Sequence, residues 1–225
     1  MLNSPLTRGG SCFLRNEQYD SPMSDMPRPQ FDPGFSDFAT RHDLSDWEAW
    51  WSPYDQATYA AVLDAIAPDD TVLDIGAGDL RLSLRLAERA RRVYAVEVNP
   101  RLLADALARA GYALPRTLVV VCGNALDIPV PAGVTAAVLL MRHCRHFGAY
   151  VERLRAVGCR RLVTNARWGM GVEVVDLGPG MTWDAFAGGW YACLCGAVGY
   201  KGEDAAEEPQ EAVTVETCAA CKDPL

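Results

Sequence analysis

Nine residues, VLDIGAGDL at positions 72–80, constrain this chain more than any other stretch. An apolar run carrying Asp74 leads into Gly76-Ala-Gly78, and a new apolar periodicity starts at Leu80. The pattern reads as a buried strand that ends, turns tightly and enters a helix. Glycine is needed in such a turn because a side chain would block close approach of a ligand to the backbone. The helix start then offers unpaired N–H groups to an anionic or oxygen-rich partner. Glu97 lies 19 residues beyond Gly78, at the end of the next apolar run, VYAVEVNP. A carboxylate there can accept both hydroxyl hydrogens of a ribose.

The surrounding sequence repeats the same unit. Short, Val- and Leu-rich strands are predicted at 71–75, 92–98, 117–122 and 135–141, with a fifth at 161–165. Their nearly continuous hydrophobicity suits a parallel sheet covered on both faces. Helices are predicted at 56–67, 80–91, 100–110 and 147–157, with Pro100 in a first turn and Gly111 and Gly158 at C-terminal caps. Alternation of this kind predicts an α/β fold, a doubly wound, Rossmann-like, mostly parallel sheet. Two further strands are expected at 173–177 and 190–200.

Two ligands suit the glycine turn, NAD and S-adenosylmethionine. The dinucleotide fingerprint places a third glycine three residues after Gly78, where this chain has Arg81. S-adenosylmethionine has no pyrophosphate and asks less of the helix entrance, and Asp74 can serve the cationic amino group of its methionine part. Over about residues 56–166 the chain resembles the class I S-adenosylmethionine-dependent methyltransferases. The resemblance implies that Asp74, Gly76 and Gly78 form the first cofactor motif, and that Glu97 holds the ribose. It also implies that Asn124 and Ala125, within GNALD at 123–127, lie beside the adenine. Many members of that family carry a third glycine where this chain has Leu80.

The end of the fourth strand, LLMRHCRHFGAY, faces the methyl acceptor in such folds. Members that methylate exocyclic amino groups of nucleic acids carry Asp or Asn, then Pro-Pro and an aromatic residue there, and this chain does not. It offers His143 and His146 instead, as candidate catalytic proton acceptors or as ordinary loop residues beside Arg142 and Arg145. Asn165 and Trp168, after the fifth strand, line the acceptor pocket or pack on the sheet. The acceptor is expected to be a small molecule or a protein. The alternatives are RNA, with the C-terminal segment used for docking, and a non-catalytic binding module.

That segment holds two cysteine pairs, Cys193-Leu-Cys195-Gly and Cys218-Ala-Ala-Cys221. Four thiolates at this spacing can enclose a structural Zn2+, and the stretch resembles a zinc ribbon. Such a ribbon either staples the C-terminus to the sheet or presents a surface to a partner. Cys122 is read as a buried strand residue.

Three regions follow: a lead-in at 1–35, a methyltransferase domain with N-terminal helices at 36–180, and the cysteine-rich segment at 181–225. Met1, Met23 and Met26 are all possible starts. Residues 36–51, aromatic and acidic, read as a docked helix or a lid. With 50% hydrophobic residues the chain is not disordered. Its longest apolar run, 134–141, is far shorter than the ~20 residues of a membrane span, and no signal pattern opens it, so a cytoplasmic protein is expected. The net charge of −8 conceals an asymmetry: residues 1–79 carry −10, residues 80–167 carry +10, and both C-terminal stretches are acidic. The arginines either pair with acids from the flanks or face an anionic acceptor, so the total charge leaves RNA open.

Overall fold

The computed structural model describes residues 54–202 and 211–222. The lead-in and the aromatic segment 36–51 lie outside the described residues. In chain order the elements are α1 (Gln56–Asp64), β1 (Thr71–Ile75), α2 (Arg81–Arg89), β2 (Arg92–Glu97), α3 (Pro100–Arg109), β3 (Leu118–Cys122), β4 (Ala136–Leu139), α4 (Phe147–Ala156), β5 (Arg161–Thr164) and β6 (Glu173–Asp176). β7 (Gly189–Cys193), β8 (Val198–Lys201), β9 (Val213–Val215) and α5 (Ala219–Lys222) follow.

β1 to β6 form one sheet in the order β3-β2-β1-β4-β5-β6. Its first five strands run parallel, and β6 returns antiparallel along β5. The central strands are apolar on both faces because helices cover both. α1, α2 and α3 pack one face around Val62, Leu86 and Leu103. α4 packs the other around Phe147, Val151 and Leu154. Local chemistry sets the boundaries. Asn99 accepts hydrogen bonds from the N–H groups of Arg101 and Leu102 at the start of α3. Gly158 leaves α4 at φ +78°, a left-handed cap that glycine adopts without strain.

The order of the strands reverses between β1 and β4. Ligands of open α/β sheets gather at such a switch point, beyond the C-terminal ends of the strands. The glycine turn leaves β1 there.

β7, β8 and β9 form a second sheet, in the order β8-β7-β9. The single strand expected over 190–200 is therefore corrected to two antiparallel strands. The reversal lies at Cys193-Leu-Cys195-Gly196, where Gly196 takes φ +102° and the Cys193 N–H bonds to the Ala197 carbonyl at 2.8 Å. Hydrophobicity runs through the turn unbroken, so periodicity could not locate it. Phe186, Tyr191, Cys193, Val215 and Cys218 form a separate small core, with the Trp183 ring edge-on to Tyr191 at 4.9 Å.

The two sheets touch closely. A Cβ on Gly148 of α4 would stand 3.2 Å from the Cys195 backbone, and one on Gly196 would stand 3.1 Å from Phe147. Arg167, just past β5 and 2% exposed, reaches across. Its guanidinium forms a two-pronged pair with Glu173 at the start of β6 and donates to the Ala192 carbonyl of β7 at 2.8 Å. The C-terminal segment is thus stapled to the main sheet.

A second expectation is corrected. Cys122 is exposed, because β3 is an edge strand and Cys122 is its last residue.

Candidate functional site

The site is assembled from residues at or just past the C-terminal end of each parallel strand. Ile75 of β1 pairs in register with Val96 of β2 and Leu139 of β4; Glu97 pairs with Cys122 and Leu139 with Thr164. Gly76, Glu97, Gly123, Leu140 and Asn165 consequently stand along one rim of the sheet.

At the glycine turn, the N–H groups of Gly76 and Ala77 both bond to the Val96 carbonyl, at 2.9 and 3.0 Å. Gly76 and Gly78 take φ of +73° and +57°, and a Cβ on Gly76 would press on the Met141 sulfur at 3.3 Å. The turn thus needs glycine for conformation at both positions and for space at the first. Leu80 also lies in the left-handed region, at φ +64°. The backbone there has the shape glycine favours, and leucine holds it because its side chain is 0% exposed in the core. Strain of roughly 1–2 kcal/mol is offset by burial of about 1.5–3 kcal/mol.

Glu97 is 7% exposed. Its carboxylate accepts the N–H of Gly78 at 2.8 Å and that of Asn99 at 2.7 Å. The 19-residue spacing therefore places a carboxylate against the turn itself. Each oxygen has a further lone pair, so the group can accept ribose hydroxyls while remaining locked. Next to it, the Gly123 N–H bonds to the Glu97 carbonyl at 2.8 Å. The Asn124 side chain closes the following turn by accepting from Leu126 N–H at 3.0 Å. Asn124 is exposed and Ala125 half-buried, which leaves a shallow ledge beyond β3. Cradle, locked acid and ledge fit a nucleoside with a cationic amino-acid tail.

Asp74 is 3% exposed, turned under α2, and accepts the Ser83 hydroxyl at 2.6 Å. Burial pushes its pKa up to about 6, the Ser83 bond opposes this, and the Glu97 charge adds to it. A buried carboxyl held between its neutral and charged forms is suited to a cationic partner.

On the other side of the switch point lie the residues beyond β4 and β5. His143 has φ +55°, an uncommon conformation for a residue with a side chain. Its N–H bonds to the Ala166 carbonyl at 2.9 Å, joining the two loops. Burial first, and the Arg142 charge second, lower its pKa, so the imidazole is neutral at physiological pH and able to take a proton. His146 is exposed at the N-cap of α4 and makes no capping bond with its side chain. Tyr54 donates its hydroxyl to the Leu140 carbonyl at 3.1 Å. Burial raises the Tyr54 pKa, with the nearby Asn165 amide and Arg142 charge acting against it. Trp168 is 36% exposed and Asn165 1%. The histidines carried the sequence signal for this side. Tyr54 carried none, since only the fold brings α1's leading residue to β4.

The four C-terminal cysteines come together. The sulfurs of Cys193 and Cys221 are 3.5 Å apart, those of Cys195 and Cys218 3.8 Å, and those of Cys218 and Cys221 3.8 Å. All four lie within 4.8 Å of one another. Four sulfurs at the ~2.3 Å bond length of tetrahedral zinc stand ~3.8 Å apart, so the cluster already has the size of a closed metal site.

The arginines divide. Arg161 pairs with Asp70, Arg81 and Arg109 with Asp79, Arg155 with Glu216, and Arg167 with Glu173. All four acids come from outside residues 80–167. Flanking acids therefore neutralise part of the basic centre.

Fold and rim together define a doubly wound α/β protein with a glycine turn and a buried carboxylate at its switch point. Comparison with known proteins sharpens that class. Residues 72–162 match the family model described as "Methyltransferase domain". It is 37% identical over 67 residues to a dimethyladenosine transferase of Yarrowia lipolytica, covering 29% of this chain and 21% of that protein. It is 41% identical over 66 residues to a probable ribosomal RNA small subunit methyltransferase A of Methanosarcina mazei, covering 29% and 24%. The matched stretch thus spans about a quarter or less of these relatives. Among solved structures, the 23S rRNA methyltransferase ErmE aligns with 26% identity and a TM-score of 0.43, over 49% of this chain and 45% of that one. No described helix is long and apolar enough to cross a membrane.

Proposed function

We propose that this chain transfers a methyl group from S-adenosylmethionine to an RNA acceptor. The observation that carries the methyltransferase reading is Glu97, locked onto the Gly78 N–H at the switch point. Gly76 and Gly78 let the cofactor lie against the backbone, Glu97 takes the ribose hydroxyls, and Asn124 and Ala125 flank the adenine. Asp74 faces the amino group. S-adenosylmethionine held by these residues would supply a sulfonium-activated methyl group for transfer to the acceptor's lone pair. The protein's own share is alignment, which supplies much of the rate in such a transfer. Neutral His143 takes the proton the acceptor loses, and His146, farther along the same loop, is the weaker candidate.

RNA replaces the small-molecule or protein acceptor expected from the sequence for two reasons. One relative is named a probable ribosomal RNA small subunit methyltransferase A and another a dimethyladenosine transferase, and Arg142 and Arg145 stand beside the acceptor side of the rim. The four cysteines hold a structural Zn2+ that fixes the C-terminal segment against α4. With S-adenosylhomocysteine, calorimetry on zinc-replete protein should show binding, and none would overturn the reading. Labelling cell extracts with methyl-tritiated cofactor should give ribonuclease-sensitive label. Label that survives ribonuclease would restore the protein or small-molecule acceptor.

A further inference from the structure

Leu194 stands between two of the four clustered cysteines, yet it packs into a different core from theirs. Its side chain is 5% exposed and joins Phe147, Tyr150, Val151 and Leu154 of α4 in the core of the main sheet. Cys193 and Cys218 belong to the small core of the second sheet. We propose that Leu194 is a positioning residue for the acceptor side of the site: the metal fixes the knuckle at 193–196, and the knuckle fixes the loop that carries His143. The proposal rests on the zinc and methyltransferase readings and adds how the metal site acts on the reaction.

A closed ring of contacts joins the knuckle to that loop. On one arm, the knuckle backbone lies against the first turn of α4. A Cβ on Gly148 would stand 3.2 Å from the Cys195 Cα, and one on Gly196 would stand 3.1 Å from the Phe147 Cβ. Glycine inside a helix lowers its stability, and this close approach accounts for it at position 148. The Phe147 N–H then bonds to the Cys144 carbonyl at 3.2 Å, next to His143. On the other arm, Arg167 donates to the Ala192 carbonyl at 2.8 Å and to the Thr214 hydroxyl at 3.3 Å. Ala192 adjoins Cys193, and Arg167 adjoins Ala166, whose carbonyl accepts the His143 N–H at 2.9 Å. The Arg167 guanidinium lies 5.9 Å from the centre of the Phe147 ring, which ties the two arms together. His143 takes φ +55°, a conformation that persists only where the surrounding structure over-determines it. The two arms supply that surrounding.

The glycine-turn side lies elsewhere in the sheet. Glu97 of β2 is three strands from β5, about 14 Å at ~4.8 Å per strand. A site closed by four sulfurs has no open position for a substrate, so the metal acts only through the chain it holds. Freeing the knuckle removes the common support of the His143 and Ala166 loops and leaves the glycine turn in place. Transfer to the acceptor should therefore depend on the knuckle, and cofactor affinity should not.

Leu194→Ala shortens the buried side chain, and Leu194→Met keeps its bulk. Full-length, zinc-loaded wild type and both variants, and wild type after chelation, are compared by NMR, by calorimetry with S-adenosylhomocysteine, and by transfer of tritiated methyl to an extract of cells lacking this protein. That extract offers RNA, protein and small molecules alike. In Leu194→Ala and in chelated wild type, the amide signals of residues 143–150 and 166–168 should shift or broaden, together with the imidazole of His143, one of three histidines in the chain. Those of residues 74–86 should hold their positions. Affinity for S-adenosylhomocysteine should stay within about twofold of wild type, transfer should fall at least about tenfold, and Leu194→Met should restore the signals and bring transfer to within about threefold. Unmoved signals at 143–150, equal movement at 74–86, or undiminished transfer in Leu194→Ala would each overturn the proposal. Should Leu194→Ala not fold, Leu194→Val decides by the same signals. Should the wild type hold no zinc, the zinc reading fails, and the Leu194 variants still decide the positioning role. Should it neither bind S-adenosylhomocysteine nor transfer methyl, the methyltransferase reading fails, and the spectra still decide whether the knuckle holds the loop.

Discussion

Replacing Asp74 with asparagine should stabilise the free protein and cripple its cofactor binding. The carboxyl is 3% exposed, and its pKa is pushed from the ordinary 3.8 to about 6. At 1.36 kcal/mol per pH unit, that gap corresponds to about 3 kcal/mol. The folded protein binds more protons than the unfolded chain between roughly pH 4 and pH 6, so this residue lowers stability as pH rises through that window. Below pH 4 both states are protonated and the penalty vanishes. Above about pH 7 it is complete. Asparagine keeps an acceptor for the Ser83 hydroxyl and carries no charge.

Urea unfolding of wild type and Asp74→Asn at pH 4.5 and pH 8 isolates the effect, because every other titrating group is common to both proteins. The difference should be small at pH 4.5 and reach up to about 3 kcal/mol in favour of the variant at pH 8. A cationic amino group beside Asp74 favours the ionised form. Wild-type affinity for S-adenosylhomocysteine should therefore fall as pH drops below about 6, whereas the variant should bind at least about tenfold more weakly above that pH and show no such dependence. An equal stability difference at both pH values would refute the buried-charge argument. Unchanged affinity in the variant would refute the contact with the amino group.

Glu97→Ala should weaken S-adenosylhomocysteine binding by at least tenfold, about 1.4 kcal/mol, since the variant loses the ribose acceptor and frees the Gly78 and Asn99 N–H groups together; calorimetry reads it. Metal analysis of the purified protein should find one zinc per chain, and chelation should lower the unfolding temperature and expose the 181–222 segment to protease. Arg167→Met should cost up to about 3–5 kcal/mol by leaving the half-buried Glu173 carboxylate without its partner, and the Arg167→Met, Glu173→Met double variant should recover much of that loss in urea unfolding. Loss of His143 in His143→Ala should lower kcat for RNA methylation while leaving S-adenosylhomocysteine affinity within about twofold, with a smaller effect from His146→Ala.

The glycine-turn side of this protein was legible in its sequence because each part has a local cause. Strand β1 is apolar because both its faces are covered, the turn carries glycine because Gly76 and Gly78 lie at positive φ, and Glu97 follows at the spacing of one helix and one strand. Leu80 shows the limit of that logic. Read against a pattern, it stands as a missing glycine. In the fold its backbone keeps the left-handed shape, and the core beneath holds the side chain there. The deviation is one of packing, and packing depends on partners far away in the chain.

The acceptor side resisted reading for the same reason. Arg167 counts in the sequence as one more charge in a basic segment, yet it is buried against Glu173 and spans two sheets. Asn165 reads as one more polar loop residue, and only the fold shows it buried beside Tyr54. Glu97 bonds to the glycine turn through the Gly78 N–H and shows in the sequence as a fixed spacing. The residues beyond β4 and β5 are joined instead by contacts between distant segments, such as the His143 N–H to the Ala166 carbonyl, and they become visible only when the burial and hydrogen bonding of the whole rim are known.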